Sequence, residues 1–90
     1  MSDTTIEARV RGYIVSNFLL TPETTPARDA SLLNEGIIDS MGYLQVFKWL
    51  DDEFGVRVAD HEMVPANFET VANITAFVTR KLDPQGEGAR

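Results

Sequence analysis

The sequence predicts an all-α fold: a small bundle of three main helices plus one short helix, with a long loop between the first two. Three observations predict it. Apolar residues recur at helical intervals in three separate stretches, within 6–18, 40–54 and 71–82. Between the first two, from 21 to 39, the periodicity lapses, and Pro22 and Pro26 forbid a continuous helix. The one β-branched run, Val56-Arg57-Val58, has no second strand to pair with and reads as an extended connector.

In the first helix, Ile6, Val10, Ile14 and Phe18 repeat every four residues with Tyr13 beside them, while Glu7, Arg9 and Arg11 fall off the stripe. Asp3 or Thr4 is placed to cap it, and Thr4 with Glu7 matches a capping box. In the long connection, Leu32, Leu33, Ile37 and Ile38 are expected to tuck against the helices, and Gly36 offers a positive φ. The late part of this loop is therefore expected to be pinned and the early part mobile. A structureless connection of this length in a small domain is often functional.

The second helix opens at Ser40. Met41, Leu44, Phe47, Leu50 and Phe54 follow at steps of three, three, three and four and are read as its core face, with Gly55 as the C-cap. Gly42, Tyr43, Val46 and Trp49 are unusual for a solvent-facing side. Gly42 weakens a first turn by about 0.5–1 kcal/mol relative to Ala, so a close approach by a partner or bound group is one explanation for it. Exposure of Val46 and Trp49 would mark a docking surface, and burial would make them ordinary core. Asp51-Asp52-Glu53 lie near the C-terminal end, where acidic side chains oppose the helix dipole. They form either a solvated face or a partner surface. A short turn is expected from Asp60 to Met63 or Val64, with Pro65 ending it or opening the next. Phe68 is read as core. Thr70 is placed to cap a last helix carrying Val71, Ile74, Phe77 or Val78, and Leu82, which Asp83 and Pro84 stop.

Composition narrows the function. Ninety residues with 43% hydrophobic content suit one domain, 1–83, followed by a polar flexible tail, 84–90. No Cys is present, so disulfides, thiolate nucleophiles and zinc–thiolate sites are excluded. That composition, with no signal-peptide pattern at Met1-Ser2-Asp3-Thr4-Thr5, leads to the expectation of a cytoplasmic protein. No apolar run is long enough for membrane insertion. A net charge of −6 argues against nucleic acid and anionic membranes and favours partners with basic surfaces. A monomer is expected.

No set of residues assembles into an active site. His61 is the lone histidine, and nothing in its spacing to Ser40 suggests a nucleophile–base pair. No Gly-rich phosphate loop or calcium-loop pattern is present, and no metal site is expected. What remains is Asp39-Ser40 at a helix start. Ser40 reads either as a helix cap, with Asp39 at the positive end of the dipole, or as an attachment point. A phosphate ester there would lie beside free N–H groups. The two readings are compatible.

Asp39-Ser40-Met41 resembles the Asp-Ser-Leu signature of the acyl carrier protein family, with its peptidyl and aminoacyl carrier relatives. Met stands where Leu is usual. Ser31-Leu32-Leu33-Asn34-Glu35-Gly36-Ile37-Ile38 is similar to the family's loop before the second helix. Leu50-Asp51-Asp52-Glu53-Phe54-Gly55-Val56 is similar to the end of that helix, and Pro65-Ala66-Asn67-Phe68-Glu69-Thr70-Val71 to the approach to its last helix. The ordered set covers about residues 6–82. The resemblance implies an acyl-carrier-protein-like bundle with no enzymatic activity of its own. It implies 4′-phosphopantetheine on Ser40, attached by a phosphopantetheinyl transferase and flanked by Asp39 and Met41, and carrying acyl or aminoacyl groups as thioesters. In some members the bundle interior shelters the acyl chain. It also implies a partner surface, expected to include Gln45, Val46, Lys48, Trp49, Asp51, Asp52, Glu53, Asp60 and Glu62, for an acyl- or aminoacyl-carrier-protein ligase or synthase with a basic docking face. Gln45, Lys48, Trp49 and His61 depart from the fatty-acid type, which leads to the expectation of a specialised stand-alone carrier. The competing reading from another class is an unmodified interaction module that binds a basic partner through its acidic second helix. A hydrolase built on Ser40 and His61 is a distant third.

Overall fold

The computed structural model describes residues 3–18 and 27–82. Among these the elements are α1 (Asp3–Phe18), α2 (Ser40–Phe54), a 3-10 turn (Asp60–Glu62), a four-residue α3 (Pro65–Phe68) and α4 (Val71–Leu82). No strand occurs among the described residues, and 55–59 is extended connector. The all-helical bundle is as the sequence predicts, with the short helical portion divided into two pieces because Pro65 opens a separate turn at its first position. The early part of the long loop, residues 21–26, and the 84–90 tail lie outside the described residues.

Each long helix buries one stripe. Ile6, Val10 and Ile14 from α1 meet Val71, Ile74, Phe77 and Val78 from α4, with Gly42, Val46 and Leu50 from α2 closing the core. Leu32, Ile38, Val56 and Phe68 complete it from the connections. Side chains of this size contribute about 1.5–3 kcal/mol each on burial, so the core outweighs any single surface contact. The stripe of α1 is as read, with Phe18 half-buried at its end. Thr4, however, lies inside α1 rather than before it. Glu7 turns to Arg11 at 3.0 Å and Arg28 at 3.2 Å instead of reaching back as a capping-box partner.

The stripe of α2 runs differently from the sequence pattern. Met41 and Leu44, read as core, are 72% and 58% exposed, and Val46, read as a candidate docking residue, is 1% exposed. The helix carries apolar residues on both sides, so periodicity alone permits two faces. Contact with α1 selects Gly42, Val46 and Leu50. Trp49 is half-buried and explained by that same seam: it stacks on Tyr13 at 4.3 Å and meets Phe54 edge-on. The helix ends at Gly55 in the left-handed conformation, φ 69°, with the Gly55 N–H donating to the Asp51 carbonyl and the Val56 N–H to that of Leu50.

The late loop is pinned, as expected. The Leu32 N–H donates to the Glu69 carbonyl at 2.8 Å, and the Ala72 N–H donates to the Arg28 carbonyl at 2.8 Å. The second bond satisfies a first-turn donor of α4. Thr70 Oγ satisfies another by accepting the Asn73 N–H at 2.9 Å, which bears out Thr70 as the cap. Leu33 is the exception in this loop. It is 51% exposed rather than tucked in.

Among the described residues one buried side-chain polar atom is unsatisfied. Thr75 is 3% exposed in the core face of α4, and its Oγ has no hydrogen-bond partner among the described residues. Removing a buried hydroxyl that bonds nothing recovers its desolvation cost. Thr75→Val is therefore expected to raise stability by about 1 kcal/mol, seen as a higher urea midpoint at unchanged slope. A lower midpoint would show that the hydroxyl is satisfied in solution.

Candidate functional site

The site is the start of α2. Its N-cap is Asp39, not Ser40: Asp39 has extended backbone, φ −99°, and its carboxylate accepts the Gly42 N–H at 2.7 Å. Ser40 is thus the first helical residue and is exposed. Its hydroxyl is spared the capping role that the sequence allows it. The N–H groups of Ser40 and Met41 lie in the first turn, where no carbonyl of the helix itself can receive them. With the positive end of the helix dipole, they make this end suited to an anionic group.

The loop before α2 aims this end. The Leu32 carbonyl accepts two N–H groups, from Ile37 at 2.9 Å and Ile38 at 3.1 Å, across a turn that passes through Gly36 at φ 74°. Ile38 is then buried, and the following Asp39 and Ser40 emerge at the surface. Gly42 lets α2 settle against this turn and α1. A Cβ there would stand 2.9 Å from Phe18 Cε1, 3.0 Å from Ile38 Cγ2 and 3.2 Å from the capping Asp39 Oδ1. The small residue accommodates the chain's own neighbours rather than a partner.

Beside Ser40 opens a pocket of about 450 Å³. Ser31, Leu33 and Asn34 from the loop line one side, Ser40, Tyr43 and Phe47 from α2 another, and residues 63–65, 68 and 69 the third. Its floor continues into the core through ring contacts, Phe47 to Phe68 at 4.8 Å and Phe68 to Phe77 at 4.9 Å. Tyr43 ties two walls together by donating its O–H to the Phe68 carbonyl at 2.7 Å. Burial, with the Glu69 charge adding to it, pushes the Tyr43 hydroxyl up to about 12, so it stays a donor at neutral pH. The pocket forms where the loop before α2, the first turns of α2 and the 63–69 segment meet, a tertiary outcome without a local signal.

Around the serine lies a ring of exposed apolar side chains: Leu33, Met41, Leu44, Met63 and Val64, each 41–72% exposed. Leu33, Leu44, Met63 and Val64 are functional candidates that the sequence reading did not single out. Further along α2 the exposed face becomes polar, with Gln45, Lys48, Asp51 and Asp52. Of the residues expected to face a partner, Val46 is corrected to core and Trp49 to the seam with α1. Glu53 pairs with Arg9 of α1, and Lys48 with Asp52 at 3.6 Å. Asp60 and His61 are exposed, in the turn that leads into the pocket-lining residues 63–65.

Glu62 is also committed internally. It accepts the Ala59 N–H at 2.9 Å and the Lys81 ammonium at 3.0 Å, and its carbonyl holds the Asn67 amide at 2.8 Å. Burial works to raise its carboxyl. The Ala59 N–H, Lys81 and the nearby His61 outweigh burial and hold it below the usual carboxylate range. Glu7 is lowered chiefly by its hydrogen bond to Arg11, against burial and with help from Arg28. Among the described residues, no group of three or more His, Asp or Glu is placed to hold a metal ion. No described helix is long and apolar enough to cross a membrane.

The described residues thus place an exposed serine at the head of a helix, on a small helical bundle with an apolar rim. Comparison with known proteins finds relatives named as carriers. D-alanyl carrier protein 2 of Lactiplantibacillus plantarum is 42% identical to this chain over 50 residues, 56% of this chain and 62% of the relative. D-alanyl carrier protein 1 of the same organism is 38% identical over a stretch of the same length. The match thus spans less than two thirds of the length of these curated relatives. Probable acyl carrier protein PigG of a Serratia species is 29% identical over 85 residues, 93% of this chain and 98% of that protein. All three names denote carrier proteins rather than enzymes, and they bear out the resemblance read from the residues around Ser40. No protein-family model matches the chain.

Two outcomes test this geometry. Gly42→Val should destabilise the fold by about 1–3 kcal/mol, because its branched Cβ has no room between Phe18 and Ile38. An unchanged urea midpoint would contradict the packing described. The lowered carboxyls of Glu7 and Glu62 mean that the unfolded chain binds more protons than the folded one as pH falls past their ordinary value of 4.5. Their stabilisation should be complete above that value and be lost as pH drops through the lower folded values. Glu62→Gln should flatten this decline in a urea-midpoint series against pH, and an identical slope would remove Glu62 from the account.

Proposed function

We propose that this chain is a carrier protein: Ser40 Oγ accepts 4′-phosphopantetheine from coenzyme A, and the chain holds acyl or aminoacyl intermediates and delivers them to partner enzymes. The observation that carries this reading is the division of roles at the start of α2. Asp39 caps the helix through the Gly42 N–H, so Ser40 stays exposed with a hydroxyl that nothing in the fold requires. The relatives' names, D-alanyl and acyl carrier protein, support the same reading and favour a specialised carrier.

The residues present fit the group. A phosphodiester on Ser40 would meet the positive end of α2 and the first-turn N–H groups that Asp39 leaves free. The pocket alongside has both apolar walls and the polar side chains of Ser31 and Asn34 for an arm that carries methyl and amide groups. Attached, the arm supplies a terminal thiol on which an acyl or aminoacyl group is held as a thioester, a sulfur this Cys-free chain otherwise lacks. The chain itself presents the tether and catalyses nothing. Tethering converts encounter with each partner's site into a local event at ~mM effective concentration.

The partners implied are a phosphopantetheinyl transferase and a ligase or synthase that loads the cargo. Their contact surface is the exposed face of α2 with its apolar rim: Met41 and Leu44 next to Ser40, then Gln45, Lys48, Asp51 and Asp52, with the exposed Asp60 of the 3-10 turn. Apolar contact near the serine and acidic charge further out suit a basic docking surface with a greasy centre. A cytoplasmic setting suits both the transferase reaction and a reduced thiol.

Intact mass tests the proposal. After incubation with coenzyme A, Mg²⁺ and a broad-specificity transferase, the chain should gain one arm, mapped to Ser40. Ser40→Ala should gain none while keeping its helical spectrum and its stability to within about 0.5 kcal/mol, as expected for a surface substitution. If the wild-type chain takes no arm from a transferase that loads a control carrier, the apolar rim and acidic face belong to an unmodified interaction module.

A further inference from the structure

We propose that Glu69 sorts the carried group by charge: the pocket beside Ser40 receives a terminal group with a short apolar body and a protonated amine, and turns away one that ends in a carboxylate. The inference rests on the carrier reading and adds to it the chemical class of the cargo.

The pocket has the size of a small-ligand site, about 450 Å³. Leu33, Phe47, Met63 and Val64 give it apolar walls, and Asn34 and Glu69 give it a polar side. Among the described residues, Glu69 is the only charged one in the lining. Its backbone is fixed at both ends, the N–H donating to the Pro65 carbonyl and the carbonyl accepting the Leu32 N–H, each at 2.8 Å. Its carboxylate, exposed at the rim, makes no ion pair or hydrogen bond among the described residues. The nearby cations are engaged elsewhere: Arg28 with Glu7, Lys81 with Glu62, and Arg80 with Asn67. The charge at the rim is therefore uncompensated among the described residues, and it adds to the burial that keeps Tyr43, on the pocket wall, from ionising.

A group tethered to Ser40 that doubles back into the pocket meets this charge with apolar surface on its other sides. An amine is attracted there and a carboxylate repelled. Because Glu69 is exposed, the attraction is that of a surface ion pair, which shifts a population about two- to fivefold. Tethering makes that sufficient, since at ~mM effective concentration even a weak contact is populated.

The test loads the full chain through the transferase with three amide-linked coenzyme A analogues of similar length, ending in butanoyl, 3-aminopropanoyl and malonyl groups. Intact mass confirms loading before anything else is read. Amide ¹H–¹⁵N shifts of Asn34, Val64 and Glu69 then report pocket occupancy. The aminopropanoyl form should occupy the pocket about two- to fivefold more than the malonyl form, with the gap narrowing at 1 M salt. Glu69→Gln should bring the two together, and Glu69→Lys should reverse their order. Equal shifts for the three cargoes, or an order that survives Glu69→Gln, would overturn the charge filter while leaving the carrier reading intact. A chain that takes no arm would fail at the mass step and remove both.

Discussion

The bond from the Gly42 N–H to the Asp39 carboxylate is the contact on which the rest of the site depends. It starts α2 at one residue and not the next. If Ser40 were the cap, its hydroxyl would be turned into the helix end and held by a backbone donor. With Asp39 in that role, the serine stands one position inside the helix, exposed, with the dipole behind it. The same few atoms also fix how close α2 comes to its neighbours, since Asp39 Oδ1, Ile38 Cγ2 and Phe18 Cε1 all crowd the missing Cβ of Gly42. A local cap and a tertiary close approach thus share one residue, and neither can change without the other.

Around that start, connections rather than long helices build the surface beside Ser40. The loop from Ala27 to Asp39 is bonded to α4 by the Arg28 carbonyl, to the segment after α3 by the Leu32 N–H, and to α1 by the Arg28 guanidinium. The far wall of the pocket is held in turn by Glu62, Asn67 and Tyr43, which tie the 3-10 turn and α3 to α4 and α2. The pocket is a gap between two short segments that are each secured from behind. This explains how a 90-residue chain keeps apolar side chains such as Met63 and Val64 open to water beside a serine without closing over them.

Charge serves two separate ends in the molecule. Glu7, Glu53 and Glu62 are paired with arginine or lysine and bind elements to each other. Asp51 and Glu69 are exposed and not neutralised within the described fold, and they face outward, one along α2 and the other at the pocket. A count of acidic residues cannot separate these groups. Only the position of the nearest cation does, and that is why the acidic set assigned to partners from the sequence contains both kinds.

The sequence by itself determined the helices and most of their boundaries, and it pointed to Ser40 as the centre of the candidate site. The stripe of α1, the turn at Gly36, the caps at Gly55 and Thr70, and the break at Pro65 are local effects of side-chain spacing, backbone freedom and capping chemistry, and short segments carry them whole. The serine was legible because its neighbours form an ordered series of motifs along the chain. Tertiary structure alone decided which face of α2 is core. That helix has apolar residues on both sides, and only the approach of α1, with Tyr13 on Trp49 and Phe18 over Gly42, buries Val46 and leaves Met41 and Leu44 in water. It likewise decided the pocket and the free charge of Glu69, because both arise where segments distant in sequence meet, and no local pattern records which surfaces they leave uncovered.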